Sequence, residues 1–318
     1  MIGASYAIDI AAVYSISSMI RIVATIFAGL LGLAFGSFLN VCLSRWPEGE
    51  SIVHPRSHCR SCGRTLAWWE NVPLVSWLAL RGRCRSCGAG ISWRYPLVEL
   101  AVGVLWALVA SQSLLPVQNL VYLDSIIPRL IEIDAFHFFG DLVLIWLLVA
   151  LLFLDAEHLW LPNKLTFPGI LLGFVYRFSD FLLNHNFVPQ SHDAIPSVAG
   201  TLAIQALSIV AAASVILVTR WLYWLFRHRE GVGLGDAKLM AMLAAWLGLE
   251  GALLSFVIGV VLGAVVAIGL LLAPSVRNDQ KRWAQTKLPL GTFLCVGGIV
   301  STLWGEPIIH AYLRWAGF

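Results

Sequence analysis

Apolar runs of about 20 residues, each nearly free of charge, recur along this 318-residue chain and constrain its fold more than any other feature. A run of that length crosses ~30 Å of hydrocarbon as a helix, the form that satisfies its own backbone polar groups in lipid. Eight spans fit, near residues 22–43, 96–115, 136–154, 165–184, 196–219, 237–250, 252–273 and 288–305. The sixth is short and carries Lys238. Charged residues make up 12% of the chain, against roughly 25% in soluble domains. The expected fold is an all-α polytopic membrane protein of about eight transmembrane helices. The first run is too long for a signal-peptide core and lacks a cleavage site, so it reads as a retained anchor.

Positive residues orient the spans. Arg45, Arg56, Arg60, Arg64, Arg81, Arg83, Arg85 and Arg94 crowd the connection between the first two, a density that marks the cytoplasmic side. Alternation then places the segments near 116–135 and 185–195 outside, where Asp124, Glu132, Asp134 and Asp193 face a single basic residue, Arg129. It places Arg227, Arg229, Arg277, Lys281, Arg282 and Lys287 inside, as the rule requires. Arg21 and Arg314 fall outside, against the trend, and both termini are expected outside. A net charge of +3 gives no argument for nucleic acid, so membrane lipids are the expected surroundings. The chain divides into an N-terminal segment with the first helix (1–43), a small cytoplasmic module between helices 1 and 2 (44–95), and a multi-helix membrane domain (96–318). No internal repeat is visible.

Within the module, Cys59-x-x-Cys62 and Cys84-x-x-Cys87 each put two sulfurs on one tight turn. Two such turns about twenty residues apart close a four-thiolate tetrahedral site of the zinc-ribbon kind. Gly63 and Gly88 follow each pair, where a knuckle turn calls for positive φ. Arg60 and Arg85 are expected to favour thiolate. Four thiolates leave no open position, so the zinc is structural. Unrelated or redox cysteines are the plainer alternative. Cys42 and Cys295 lie in apolar spans and read as small buried residues.

Two acids occupy bilayer edges, where an ionised carboxylate is costly. Asp155 ends the run Leu142 to Leu154, and Asp236 ends Gly233-Leu234-Gly235-Asp236. The charge alternation puts both at the cytoplasmic face, although each was located without the other. Two carboxyls at one level can hold one proton between them, activate water and protonate a leaving group, which is aspartyl peptidase chemistry. Gly233 and Gly235 let substrate approach the backbone closely, and Lys238 follows on the same helix. The competing reading makes Asp155 a helix-end residue and Asp236 an N-cap. Asp141 and Asp180 also lie in or near apolar runs, while Glu157 and His158 read as interfacial. No His-Glu-x-x-His run is present, which disfavours a zinc protease.

With both constellations in view, the chain resembles the bacterial type IV prepilin peptidases, the prepilin leader peptidase/N-methyltransferases, over nearly its whole length. The resemblance lies in Phe35-Gly36-Ser37-Phe38-Leu39-Asn40-Val41, Trp69-Glu70-Asn71-Val72-Pro73-Leu74, Ser76-Trp77-Leu78, Arg81-Gly82-Arg83-Cys84 and Ser92-Trp93-Arg94-Tyr95-Pro96-Leu97-Val98-Glu99. It implies catalytic aspartates at Asp155, followed by Leu161-Pro162, and at Asp236 in Gly-x-Gly-Asp-x-Lys, with Gly233, Gly235 and Lys238 supporting that loop. A late Leu-Pro-Phe-Gly element is similar to Leu288-Pro289-Leu290-Gly291. Leu290 departs from that pattern, as does Asn163, which stands where an acid often follows the proline. The resemblance further implies a bacterial inner-membrane enzyme with its active site at the cytoplasmic face. Its substrates are type IV prepilins or pseudopilins, cut after a basic leader and then N-methylated from S-adenosylmethionine. The sequence holds no glycine-rich nucleotide loop, and Glu70 and Glu99 are the acids to consider for that cofactor, since a sulfonium or an amine needs a negative neighbour. The alternatives are a peptidase without methyl transfer and a zinc-ribbon transporter or scaffold.

Overall fold

The computed structural model describes residues 10–113, 127–185, 197–228, 233–272 and 288–317. Residues 116–126 and 186–195 of the expected outer segments, with Asp124 and Asp193, lie outside the described residues. So do Arg229, Arg277, Lys281, Arg282, Lys287 and the side chains of Arg129 and Glu132. Among the described residues the chain is helical, with no strand beyond two isolated β-bridges. Among the described residues seven helices are long and apolar enough to cross a membrane, and the chain is a multi-pass membrane protein. The spanning helices are α1 (Ile10–Arg45), α3 (Arg94–Ser113), α4 (Ile127–His158), α5 (Asn163–His185), α6 (Val198–Arg227), α7 (Leu234–Leu272) and α8 (Leu290–Ala316). A short α2 (Val75–Ala79) belongs to the polar module. The chain forms two compact units that divide between Val143 and Leu144.

In the first unit α1 lies along α3. A Cβ at Gly32 would fall 2.9 Å from Gly103 Cα, and one at Gly36 would fall 2.7 Å from Glu99 Cα. The two backbones therefore touch, the packing that small residues four apart permit between membrane helices, where burial of apolar surface gives little drive. Leu39, Cys42, Leu43, Val98 and Val102 fill the rest of the seam and are buried. Where α1 ends, the buried Arg45 donates to the carbonyls of Ser51 and Pro55, both at 2.7 Å, which fixes the entry to the module.

The second unit is built around the first part of α7. From Asp236 to Trp246 all residues but Lys238 are buried, as expected of a helix apolar on every side. The whole of α7 packs with α5, α6 and α8. Trp246 Nε1 donates to the Gly169 carbonyl at 2.8 Å, and Gln205 Nε2 of α6 donates to Phe174 O of α5 at 2.9 Å, so each of these buried polar groups has a partner.

The 39 residues of α7 are not one straight rod. Gly248 has φ 73° and ψ −179°, a conformation essentially closed to other residues. Its neighbours on α8 reveal a reversal. Positions 297 and 298 are adjacent, yet a Cβ at 297 would meet Ser255, whereas one at 298 would meet Leu243. In an unbroken helix those two residues would stand ~18 Å apart. Ser301 Oγ donates to Gly251 O at 3.0 Å, and a Cβ at Gly259 would lie 3.1 Å from the Phe293 backbone. Residues 249–272 thus run antiparallel to α8, and residues 234–247 run with it. The expected spans 237–250 and 252–273 are the two arms of α7, and the other six fall on α1, α3, α4, α5, α6 and α8.

Candidate active site and metal centre

Asp155 occupies the last turn of α4, the end at which the helix dipole disfavours a carboxylate. Its compensation comes from α8. The N-cap of α8 is Pro289, which has no side-chain acceptor for the helix's free N–H groups. Asp155 supplies one: Thr292 N donates to Asp155 Oδ2 at 2.6 Å, and Thr292 Oγ1 donates to the same oxygen at 3.1 Å. The carboxylate thus does for α8 what an N-cap side chain would do.

Asp236 lies inside the first turn of α7, not ahead of it. Its Oδ2 accepts from Gly233 N at 3.2 Å, and its own N–H donates to Gly233 O at 3.3 Å. This is the backward half of a capping box, with Gly233 at the N-cap and Asp236 at the third helical position. The N-cap alternative for Asp236 is not what the structure adopts. Each acid therefore commits one oxygen to a backbone N–H, and its other oxygen has no protein donor among the described residues. Both residues are buried, at 6% and 8% exposure, and the two carboxylates lie within electrostatic reach of each other.

Leu161 holds the ends together. A Cβ on Gly235 would come within 3.1 Å of the Leu161 side chain, and one on Gly291 within 3.0 Å of it and 2.8 Å of Asp155 Oδ2. The Leu161-Pro162 step and the Leu288-Pro289-Leu290-Gly291 element thus meet at Asp155, the latter through a glycine that no larger residue can replace without moving the carboxylate. Replacing Gly291 by Ala is expected to reduce any reaction of this acid pair by about 100-fold, the scale of a misplacement near 1 Å. Turnover measured beside Gly269→Ala, where an added Cβ meets nothing within 4 Å, checks it. Lys238 donates to Asn163 Oδ1 at 2.5 Å and lies 5.9 Å from the Phe167 ring, tying the first turn of α7 to that of α5. Asn163 accepts that bond without a charge.

The other acids stand apart. Asp141 precedes Asp155 by 14 positions on α4, ~21 Å along the axis, and its electrostatic neighbour is His137. Glu157 and His158 form a partly exposed pair at 3.8 Å. Cys295, fully buried, follows Thr292 by one turn on α8.

The four module cysteines converge. Their Sγ atoms all lie within 4.8 Å of one another, and Cys59 Sγ and Cys87 Sγ are 3.8 Å apart. Tetrahedral ligands at ~2.3 Å from a metal have edges of ~3.8 Å, so the set fits a metal ion, and none of these thiols is in a disulfide. Both knuckles are built alike. Cys59 N donates to Arg64 O and Gly63 N to Cys59 O, at 2.9 and 2.8 Å; Cys84 N donates to Ala89 O and Gly88 N to Cys84 O, at 2.8 and 2.9 Å. Gly63 and Gly88 each have φ +70°.

Backbone N–H groups of Cys62 and Ser61 lower the Cys59 thiol, and those of Cys87 and Ser86 push Cys84 down to about 6. The knuckle's own amides thus favour thiolate, where the sequence had pointed to Arg60 and Arg85. Arg60 instead pairs with Glu48 at 2.7 Å, and Arg85 lies over the Trp69 ring.

Beside the cysteines a cavity of about 650 Å³ opens within the first unit, lined among others by Ser37, Cys59, Glu70, Trp77, Cys84 and Glu99. Glu70, buried, accepts from Arg64 at 2.5 Å and from Ala67 N at 2.8 Å, and that backbone N–H holds it below the usual carboxylate range ahead of the arginine. Glu99, also buried, accepts from Leu74 N at 2.8 Å and from the Ser37 hydroxyl. Thr292 and Leu161 are the contacts that sequence reasoning did not assign to the site. Thr292 acts mainly through its main chain, which leaves no mark in the residue type.

Fold and sites define a polytopic membrane protein with a buried acid pair in one unit and a four-cysteine metal-binding cluster in the other. Residues 30–113 match the bacterial peptidase A24 N-terminal domain, and residues 142–268 match the type IV leader peptidase family. The chain is 32% identical to a prepilin leader peptidase/N-methyltransferase of Pseudomonas putida, over 92% of this chain and 94% of that one. It is 33% identical to that of Pseudomonas aeruginosa (91% and 93% covered) and 38% identical to that of Myxococcus xanthus (83% and 70%). The chain belongs to the type IV leader peptidase family. No solved structure matches it.

Proposed function

We propose that this protein is a membrane aspartyl endopeptidase that removes the basic leader from type IV prepilins or pseudopilins and then methylates the new N-terminus. The observation that carries the peptidase reading is the pair of buried acids, each with one oxygen held by a backbone N–H and one left over. One carboxylate takes a proton from water as the water oxygen bonds to the scissile carbonyl carbon. The other, protonated, gives its proton to the leaving nitrogen as the C–N bond breaks. Gly233 leaves room for the substrate's backbone beside Asp236, Gly235 admits the Leu161 side chain, and Lys238 fixes the loop through Asn163.

The positive-inside pattern supports an inner-membrane protein with Asp155 and Asp236 at the cytoplasmic interface. There a basic leader followed by an apolar segment presents its junction. In the module of residues 44–95 the four thiolates suit zinc, held for structure since no ligand position stays open. The cavity beside it has the volume of a small-molecule site; of its two buried acids Glu70 is paired with Arg64, and Glu99 suits a cationic group such as an amine beside S-adenosylmethionine. When bound, that cofactor supplies an electrophilic methyl group.

Purified protein, a prepilin and an isotopically labelled methyl donor, read by mass spectrometry, test the whole reading. A product shortened by the leader and heavier by one labelled methyl group is expected. An uncut prepilin removes the peptidase and favours a transporter or scaffold. A cut product with an unmodified amine removes the methyltransferase.

A further inference from the structure

Among the described residues, the arginines that line the cavity of the first unit, and Arg64 beside it, are already engaged. Arg45 holds two carbonyls, Arg60 pairs with Glu48, Arg64 with Glu70, and Arg85 covers Trp69. Glu50 is exposed and solvated. That leaves Glu99 as the lining carboxylate that is both buried, at 7% exposure, and without a cation among the described residues. A buried carboxylate in that condition is expensive to hold, and the cost is met when a cationic group fills the cavity beside it. A carboxylate offers about four acceptor positions. Leu74 N and the Ser37 hydroxyl take two, so two remain for further N–H donors.

We propose that Glu99 binds the free α-amine of the cleaved substrate and takes its proton before methyl transfer, while Glu70 is a structural member of the module. This rests on the methyltransferase reading above. Two observations select the amine over the sulfonium of the donor. A sulfonium carries no N–H, so it cannot use the two open acceptor positions. Glu99 also belongs to the first turns of membrane helix α3, fixed against α1 by the contact at Gly36, whereas Glu70 sits on the polar module. An amine tethered to an apolar segment arrives at the membrane helices; a soluble donor arrives from the water.

The step balances. The ammonium gives one proton to the Glu99 carboxylate, which becomes a carboxylic acid. The freed lone pair forms the N–C bond to the methyl carbon as the C–S bond breaks, with its electrons staying on sulfur. The product is a methylated ammonium. Glu70 has neither role open to it, since Arg64 and the Ala67 N–H already occupy it.

The test uses full-length, metal-loaded protein in detergent and two synthetic peptides of the mature N-terminal sequence, one with a free amine and one N-acetylated. Without methyl donor, the wild type is expected to bind the free-amine peptide about 10-fold more tightly, the scale of a charge-assisted hydrogen bond. Glu99→Gln is expected to bind both peptides equally and to transfer methyl groups about 100-fold more slowly. Its affinity for the donor alone stays unchanged, and Glu99→Asp recovers part of the amine preference. An amine preference that survives in Glu99→Gln overturns the proposal, and so does a loss confined to donor affinity. Should Glu99→Gln fail to retain metal, Ser37→Ala decides: the amine preference shifts if Glu99 is the receptor, and an unchanged preference overturns it. A wild type that cleaves prepilin but transfers no methyl group strikes down the methyltransferase reading, and the binding preference still settles whether Glu99 receives the amine.

Discussion

Asp155→Asn and Asp236→Asn are each expected to abolish prepilin cleavage, a fall of at least ~10³-fold, while the protein inserts and folds as before. Asn is nearly isosteric with Asp. At position 155 its amide oxygen still accepts from Thr292 N and from the Thr292 hydroxyl, so the start of α8 keeps its cap. At position 236 the same substitution keeps the contact with Gly233 N. What each variant loses is the ability to take up or give a proton, and hydrolysis by this pair needs both functions. The double variant is therefore expected to be no worse than either single one, since groups acting as a unit lose their effect together. Asp141→Asn supplies the contrast: ~21 Å away along α4, it is expected to leave cleavage within a few-fold of wild type. Residual processing by either Asp155→Asn or Asp236→Asn at more than a few per cent of the wild-type rate would sink the assignment.

How far these features were legible in the sequence depends on what kind of signal each leaves. The spans were readable because a bilayer demands length and apolarity, and both are properties of composition. The cysteines were readable because metal geometry fixes their spacing. The aspartates became readable once charge alternation put both on one face, a constraint that links residues far apart in the chain. The reversal at Gly248 was located only to within a few residues, because one glycine among 27 gives no sign of a positive φ. Thr292 was not readable at all, since the group that reaches Asp155 at 2.6 Å is a backbone N–H that any residue but proline carries. Glu70 and Glu99 were visible in the sequence as two acids with nothing to separate them. Their difference lies in partners brought together by folding, Arg64 in one case and only neutral donors in the other. The source of thiolate stabilisation was misjudged for a similar reason: neighbouring arginines are visible in a sequence, whereas amides aimed inward by a tight turn are not.

Removing the metal is expected to have the second largest effect, and it should fall on the module. Residues 46–93 contain no strand, one five-residue helix and one short 3-10 turn, with exposed Trp68, Val75, Leu78 and Trp93. Such a segment has little core, and structural zinc in small domains contributes ~10–16 kcal/mol near neutral pH, as much as the whole stability of many domains. A strong chelator, or Cys59→Ser with Cys84→Ser, is therefore expected to expose the module to limited proteolysis and to abolish methyl transfer, because the cavity lined by Cys59, Glu70, Cys84 and Glu99 loses its walls. Metal analysis should return one zinc per chain in the wild type and none in the double variant. Acid should act in the same direction. A thiolate must take up a proton to leave the ion, so the affinity of the four-cysteine set for metal falls with pH. Zinc release followed by a chromogenic chelator should rise as the pH is lowered. A module that stays protease-resistant and active after complete loss of metal would show that its fold rests on side-chain packing, such as the Trp77–Trp93 contact at 4.2 Å, rather than on the four thiolates.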